Sequence, residues 1–512
     1  LTLENAIHER LCRGIMSIFQ GDRVSFRPLT ANLLTGGAAE GEGCGDDNWR
    51  AARDKILLNF QTVNLPGGNV DERAATLYST PLARAGRFEA ATYMTAKEVS
   101  LIAGIPMKEV PGLSLIEGTE FGLNIDKTGG GVKLGSVIYR GRKLDGEEIF
   151  IDKNILNKHV FITGVTGSGK TTATQRLLME SQLPFFVVEP AKTEYRDLIG
   201  RFRDRKDEFV IFTLGDETCA PFRFNPFELV RGELITSHID MLRAAFMSAF
   251  TMEAAMPQLI EEAIYNIYKN YGWNVSKNKN DHCDYSSGED APWRAGGIYW
   301  PKFSDLTAEL KKVVKGYGFG DRLEAEYIGS LVSRLNNFTV GVKGQMFNCR
   351  SSVDFSRLLD KKVIFELEEI RTPEDKSLIM GLVLTRLMAA VRARYKKDKN
   401  GAVSHLIVIE EAHRLLSKYQ FGDCAAKKDA VTMFADMLSE VRKYGEGIII
   451  IDQIPNKLES DVLKNTNTKI VHRLFAQDDK EAVGATMAMD DGQKKFLSNL
   501  GVGEAVIFSE SW

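Results

Sequence analysis

The most restrictive feature of this sequence is a glycine-rich turn wedged between an apolar strand and a helix. The string VFITGVTGSGKTTATQRLL puts Gly164, Gly169, Lys170 and Thr171 in the spacing GxxxxGK(S/T). A chance glycine-rich turn has no reason to carry a strand on one side and a helix on the other. In that context the glycines let backbone N–H groups curl around phosphates, and the helix N-terminus adds positive potential. The candidate phosphate cradle is Gly164, Thr166, Gly167, Ser168, Gly169, Lys170, Thr171 and Thr172. Lys170 is expected to bridge the β- and γ-phosphates and the Thr171 hydroxyl to ligate Mg²⁺, which makes ATP with Mg²⁺ the implied cofactor.

A second element follows in SHLIVIEEAH, where an apolar strand from Leu406 to Ile409 ends in two carboxylates. By position Glu410 is expected to hold Mg²⁺ through water, and Glu411 to act as general base on the attacking water. A doubled acid at a strand end is often only a solvated turn; here the phosphate loop in the same chain gives it a partner. A third strand, GIIIIDQIP, ends at Gln453, a neutral side chain suited to sensing the γ-phosphate from a neighbouring strand, or else a polar strand cap. In SEVRKYGEG, Arg442 sits at a helix end, where it is either an arginine finger reaching a neighbouring subunit or a charge interacting with the helix dipole.

Buried-looking strands VFITG, FFVVE, FVIFTL, KVIFEL, HLIVIEE and GIIIID alternate with longer helix-like segments, the pattern of a parallel α/β sheet. The expected division is a helical or irregular segment over 1–76, a β-rich barrel-like module over 77–155, an ATPase core over 156–226 and 358–512, and a helical insertion over 227–357. Within these, residues 3–19 read as a helix and 35–47 as a loop. In the insertion, 234–271 and 323–337 read as amphipathic helices around a polar loop at 274–300. No internal repeat is visible.

Composition narrows the classes. Apolar residues are 44% and charged residues 26% of 512, the balance of an ordinary soluble protein, and no run approaches the roughly 18 apolar residues of a membrane span. Cys12, Cys44, Cys219, Cys283, Cys349 and Cys424 lie far apart without a CxxC pair, arguing against a disulfide framework or a zinc site and for a reducing cytoplasm. The neighbours His282 and Cys283 read as incidental. The chain begins at Leu1 rather than methionine and shows no signal peptide, the expectation for a trimmed cytoplasmic chain. A formal net charge of −3 gives no global attraction to nucleic acid, so DNA binding must come from a local basic surface or a ring of subunits. Basic runs exist around Lys311, Lys312 and Lys315 and from Arg392 to Lys399, but such runs are usually solvated faces.

Taken together, NKHVFITGVTGSGKTT, FVVEPAKTEYRDL, FRFNPF, LIVIEEAH, EVRKYGEGIIIIDQIP and GVGEAVIF, spread over most of residues 130–510, resemble HerA-type ATPases of the HerA/FtsK superfamily. FVVEPAKTEYRDL has the flavour of the bacterial phage-defence branch. The resemblance implies a RecA-like core, a homo-hexameric ring, translocation on double-stranded DNA, and work with a separate effector such as a nuclease or an NAD-consuming protein. By motif it gives Lys170 and Thr171 the Walker A roles, Glu410 and Glu411 the Walker B roles, Gln453 the sensor role and Arg442 the finger, with Arg473 in KIVHRLF as a second basic candidate. The alternative is a hexameric ATP-binding assembly protein that scaffolds an effector with little motor activity. A small-molecule kinase is disfavoured by the length, the Glu pair and the sensor strand.

Overall fold

The computed structural model describes residues 119–510, apart from 124–130, 140, 203–207, 219, 253–254, 400 and 421–422. The expected helix over 3–19, the loop over 35–47, the whole of 1–76, the first part of the β-rich segment, and Cys12, Cys44 and Cys219 lie outside the described residues.

The described part of the β-rich segment is a hairpin of β1 (Val132–Tyr139) and β2 (Arg142–Ile151), paired antiparallel from Val132–Ile151 to Tyr139–Arg142. It is fastened to the helix Lys170–Ser181, because the Arg176 Nε donates to the Lys133 carbonyl at 3.2 Å.

Downstream lies an eight-stranded sheet. Its strands are β3 (Val160–Thr163), β4 (Phe185–Glu189), β5 (Phe209–Thr213), β8 (Lys362–Glu366), β9 (His405–Glu410), β10 (Glu446–Asp452), β11 (Thr468–Val471) and β12 (Val506–Ser509). A small hairpin, β6 (Trp273–Asn274) with β7 (Lys279–Asn280), stands apart from it. The sheet order is β12-β11-β3-β10-β9-β4-β8-β5, and every neighbouring pair is parallel except β11 with the edge strand β12. All six strands expected from the apolar runs are in this sheet. Their residues are buried on both faces, as a covered parallel sheet requires, with the half-exposed edge strand β5 the exception.

Period-two alternation splits the core. Phe185 and Val187 point to the side of the helix Lys170–Ser181, where Leu177 and Leu178 cover them, while Phe186 and Val188 point into the larger helical layer. That layer includes the long helix Pro373–Asp398 and the helix Ile235–Ala249. A side chain at Gly381 would come within 3.1 Å of the Ala245 Cβ, so this glycine sets how closely the two can pack.

The segment expected as one helix over 234–271 is two, Ile235–Ala249 and Met256–Asn270. Phe250 is extended and Pro257 opens the second helix, since a proline ring has no N–H and clashes with a preceding helical turn. The 323–337 expectation matches, but for Asn337, a continuous run, Asp321–Tyr327, Ile328–Val332 and Ser333–Asn336, whose middle part is a π turn.

At the N-terminal ends of the central strands, His159 precedes β3 in a left-handed conformation (φ +67°), and its Nδ1 accepts from the Ile448 N–H at 3.2 Å. Burial pushes this imidazole from 6.5 down to about 4; the Leu438 backbone hydrogen bond opposes the drop and the Arg442 charge adds to it. The unfolded chain therefore takes up a proton between those values that the folded chain refuses. Stability contributed by a neutral His159 is whole above pH 6.5 and falls away down to about pH 4, by at most an amount on the order of 3 kcal/mol. In denaturant titrations across that window, His159→Gln should lose less stability than the parent on acidification. Equal slopes for both chains would remove His159 from the account.

Candidate active site

Because β3, β10, β9, β4 and β8 all run the same way, their C-terminal ends lie together on one side, the side at which open α/β sheets bind ligands. The glycine-rich turn leaves β3 there and runs into the helix Lys170–Ser181, whose N-cap is Gly169 at φ +114°. The Lys170 Nζ donates to the carbonyls of Gly164 (2.7 Å) and Val165 (3.0 Å), so the lysine lies folded along its own loop. Burial lowers the ammonium's pKa, with the Glu410 carboxylate opposing that shift.

The loop is clamped from β11 and the 501–504 turn. The Val165 N–H donates to the Arg473 carbonyl (2.9 Å), the Gly503 N–H to the Ser168 carbonyl (2.9 Å), and the His472 Nδ1 pairs with the Glu504 carbonyl (2.9 Å). His472 packs so closely that a Cβ on Gly164 would fall 2.6 Å from the His472 Cβ and 2.7 Å from the Ser168 Oγ.

Sheet order places β10 between β3 and β9, and this brings Gln453 to the phosphate loop: the Thr166 Oγ1 donates to the Gln453 Oε1 at 2.8 Å. Glu410 closes β9 beside it, nearly buried, and its Oε1 accepts from the Tyr195 hydroxyl at 2.9 Å. Burial pushes the Glu410 carboxyl up to about 7; the Tyr195 hydrogen bond and the charges of Lys192 and Lys170 hold it down, and Glu194 pushes it further up. Next to it on β4, the fully buried Glu189 is pushed to about 8 by burial, against the hydrogen bond its Oε1 receives from the Glu194 N–H (2.8 Å).

Glu411 adopts φ +49°, uncommon for a residue with a side chain, and its carboxylate is gripped by Arg414 through Nε and Nη2, both at 2.6 Å. Asp452 at the end of β10 supports the same turn: its Oδ2 receives the His413 N–H and pairs with the His413 Nδ1, each at 2.8 Å. Lys170, Thr171, Glu410 and Gln453 thus converge, with Glu411 in the turn directly after Glu410.

Arg442 does not join them. It is exposed on the turn before β10, with its charge felt by His159 before β3, and so lies at the opposite end of these parallel strands from the phosphate loop of the same chain. Arg473 touches the phosphate loop with its backbone carbonyl, while its guanidinium lies over the Phe475 ring, 5.4 Å from the centroid. Of the basic runs, Lys312 pairs with Glu309, Arg392 with Glu440, and the Lys396 Nζ donates to the Gly232 carbonyl.

No family model matches the chain. Over 74% of its length it is 23% identical to the DNA double-strand break repair helicase HerA of Pyrococcus furiosus, covering 68% of that protein. It is 24% identical to the protein of that name from Sulfurisphaera tokodaii, over 81% of this chain and 75% of the relative. The chain is an ATPase similar to the HerA helicases over most of its length. The fold agrees with the solved structure of VirB4 of Thermoanaerobacter pseudethanolicus, at a TM-score of 0.55 and 18% identity, over 76% of this chain and 96% of that one. Among the described residues no helix is long and apolar enough to cross a membrane.

Sequence reasoning passes over His472, Asp452, Glu189, Lys192, Glu194 and Tyr195. Asp452 had a visible signal, an acid closing an apolar strand one residue before Gln453. The others come to the ATPase site through contacts with distant segments that no local pattern announces.

The close approach at Gly164 gives a direct test. Gly164→Ala should weaken ADP binding about tenfold or more in isothermal titration, since even a methyl forced into a packed wall costs 1–3 kcal/mol or so. Gly200→Ala, at a position where a Cβ meets nothing within 4 Å, should bind as the parent does. Unchanged affinity in Gly164→Ala would mean the loop is looser than this packing.

Proposed function

We propose that this chain is a ring-forming, ATP-driven motor that moves along double-stranded DNA. The observation that carries the ring is the position of Arg442: each chain holds a cradle, two carboxylates and a sensor at one end of its sheet and this arginine at the other, so Arg442 can complete only a neighbour's site. A homo-hexamer is the assembly we infer. The DNA substrate is supported by relatives whose names describe DNA repair helicases.

The residues fit the nucleotide. Cβ atoms on Gly164 or Gly169 would collide with or crowd the loop's own wall, so the backbone there is shaped for close approach, and the donors beside it are a hydroxyl and a carboxylate, the oxygen set that suits Mg²⁺. Thr171 and Glu410 would hold the ion, which supplies charge neutralisation on the phosphates. Lys170 reaches from the loop carbonyls to the β- and γ-phosphates. Glu411, oriented by Arg414 and the Asp452–His413 pair, accepts a proton from the water that attacks the γ-phosphorus as ADP leaves. Gln453 orients that water across Thr166, and Arg442 of a neighbour neutralises the transition state, with Arg473 as the second candidate.

The same proposal assigns the ATPase core to 156–226 and 358–512, a barrel-like module to 77–155 and a helical insertion to 227–357, in a cytoplasmic protein. It also includes a separate effector, a nuclease or an NAD-consuming protein, in DNA processing or phage defence. An assembly protein that regulates an effector is the second reading, favoured by the internal pairing that ties down Lys312, Arg392 and Lys396.

Steady-state hydrolysis decides between them. Long duplex DNA should stimulate turnover in a salt-sensitive way, with Lys170→Ala as the inactive blank; indifference to DNA at low salt would favour the assembly reading. Glu411→Gln should bind ATP but lose turnover about a hundredfold or more, as expected for a lost general base. Arg442→Ala should also be inactive and be partly rescued in mixed rings with Glu411→Gln. Absence of rescue at every mixing ratio would end the role across the interface.

A further inference from the structure

Between β4 and the short helix Leu198–Arg201, the 190–197 loop touches both motifs of the ATP site. The Glu194 carboxylate is hydrogen-bonded to the Thr171 side chain and to the Lys192 Nζ (2.6 Å). Burial pushes this carboxyl up, but those two hydrogen bonds together with the charges of Lys192 and Lys170 hold the group below the usual carboxylate range. One residue on, Tyr195 is completely buried and gives its hydroxyl hydrogen to the Glu410 Oε1. The loop does not drape there loosely. The Glu189 Oε1 receives the Glu194 N–H, the Gln175 Nε2 donates to the Glu194 carbonyl (2.9 Å), and the Lys376 Nζ donates to the Pro190 carbonyl. Its far end is held by Arg196, which forks onto the buried Glu366 through Nε and Nη2 at 2.5 Å.

We infer that Glu194 and Tyr195 are positioning residues for ATP hydrolysis, Glu194 setting the rotamer of the Thr171 hydroxyl and Tyr195 committing one oxygen of Glu410 so that the other faces the nucleotide. The inference deepens the ATP-site reading and rests on it. A threonine hydroxyl rotates freely unless something accepts its proton, and a carboxylate flips unless one oxygen is taken. The 190–197 loop supplies both restraints from a single segment, so the ligands contributed by the helix Lys170–Ser181 and by β9 are fixed relative to each other before nucleotide arrives. The alternative is structural: a buried tyrosine needs a partner for its hydroxyl, and Glu410 accepts it.

The two are separated by kinetics on the full chain. We would measure kcat and KM for ATP, thermal midpoint, and equilibrium binding of the fluorescent analogue mant-ADP with magnesium and with EDTA, in Tyr195→Phe, Glu194→Ala and Glu194→Gln. Positioning predicts that Tyr195→Phe and Glu194→Ala lose about ten- to a hundredfold in kcat, the scale of a misplaced reacting group, while KM and binding in EDTA stay within about threefold of the parent. Glu194→Gln, which keeps an acceptor oxygen for Thr171, should recover most of the turnover. The inference is overturned if kcat stays within twofold in Tyr195→Phe and Glu194→Ala, or if kcat falls only together with the thermal midpoint and with binding in EDTA. Lys170→Ala tells this failure from that of the underlying site: if that chain hydrolyses ATP as the parent does, the ATP-site reading fails and the inference goes with it, whereas an inactive Lys170→Ala leaves the loop variants to judge the loop alone.

Discussion

The parallel pairing of β10 between β3 and β9 is the constraint on which the rest depends. In that register Asp452 stands beside Thr163, and Ile451 beside both Ile162 and Glu410. The phosphate loop, the sensor glutamine and the acid pair are therefore neighbours by backbone hydrogen bonding alone, before any side chain contributes. A one-residue slip would turn the buried isoleucines of β10 to the opposite faces, so the apolar packing that holds the sheet also holds the register of the site.

What the sheet brings together it also makes costly. Glu189, Glu366, Glu410 and Asp452 close four parallel strands and all are nearly buried, a concentration of negative charge that the interior tolerates only because each has partners. Arg196 forks onto Glu366, His413 takes Asp452, Tyr195 takes Glu410 and a backbone N–H takes Glu189. The first two are fully satisfied. Glu410 and Glu189 are held by neutral donors and are the ones pushed upward in pKa, so charge demand is concentrated where Lys170 and a bound cation meet it.

This also explains how far the sequence could be read. The phosphate loop, the apolar strands and the acid pair are local patterns with a period or a fixed spacing, so they are legible, and the parallel class of the sheet follows from their alternation with helices. Strand order is not written locally, and with it goes the whole wall around the loop: His472 follows an apolar run like many others, and nothing in KIVHRLF says that the run pairs with β3. The same holds for the 190–197 loop, whose Glu194 and Tyr195 reach residues 171 and 410 across the fold. The helix break at 250–255 was available in principle, since Pro257 stands in plain sight, but amphipathic periodicity runs on through it and masks the stop.

Arg442 carries the argument from one chain to several. A cation is needed at the γ-phosphate in the transition state of a phosphoryl transfer, and within the chain Lys170 and Lys192 are the ammonium groups whose charge reaches Glu410. Among the described residues, Lys192 is occupied by Glu194, Arg196 is paired with Glu366, Arg414 with Glu411, and the Arg473 guanidinium lies over the Phe475 ring. Arg442 is left at the far end of the strands, exposed on a short turn closed by Gly445. With Arg442 proposed as the transition-state cation, its place at the opposite end of the strands from Glu410 and Glu411 would tie hydrolysis to a contact between copies. On the role proposed for Arg442, turnover needs a contact between two chains, the property a ring requires if its subunits are to fire in order along a polymer.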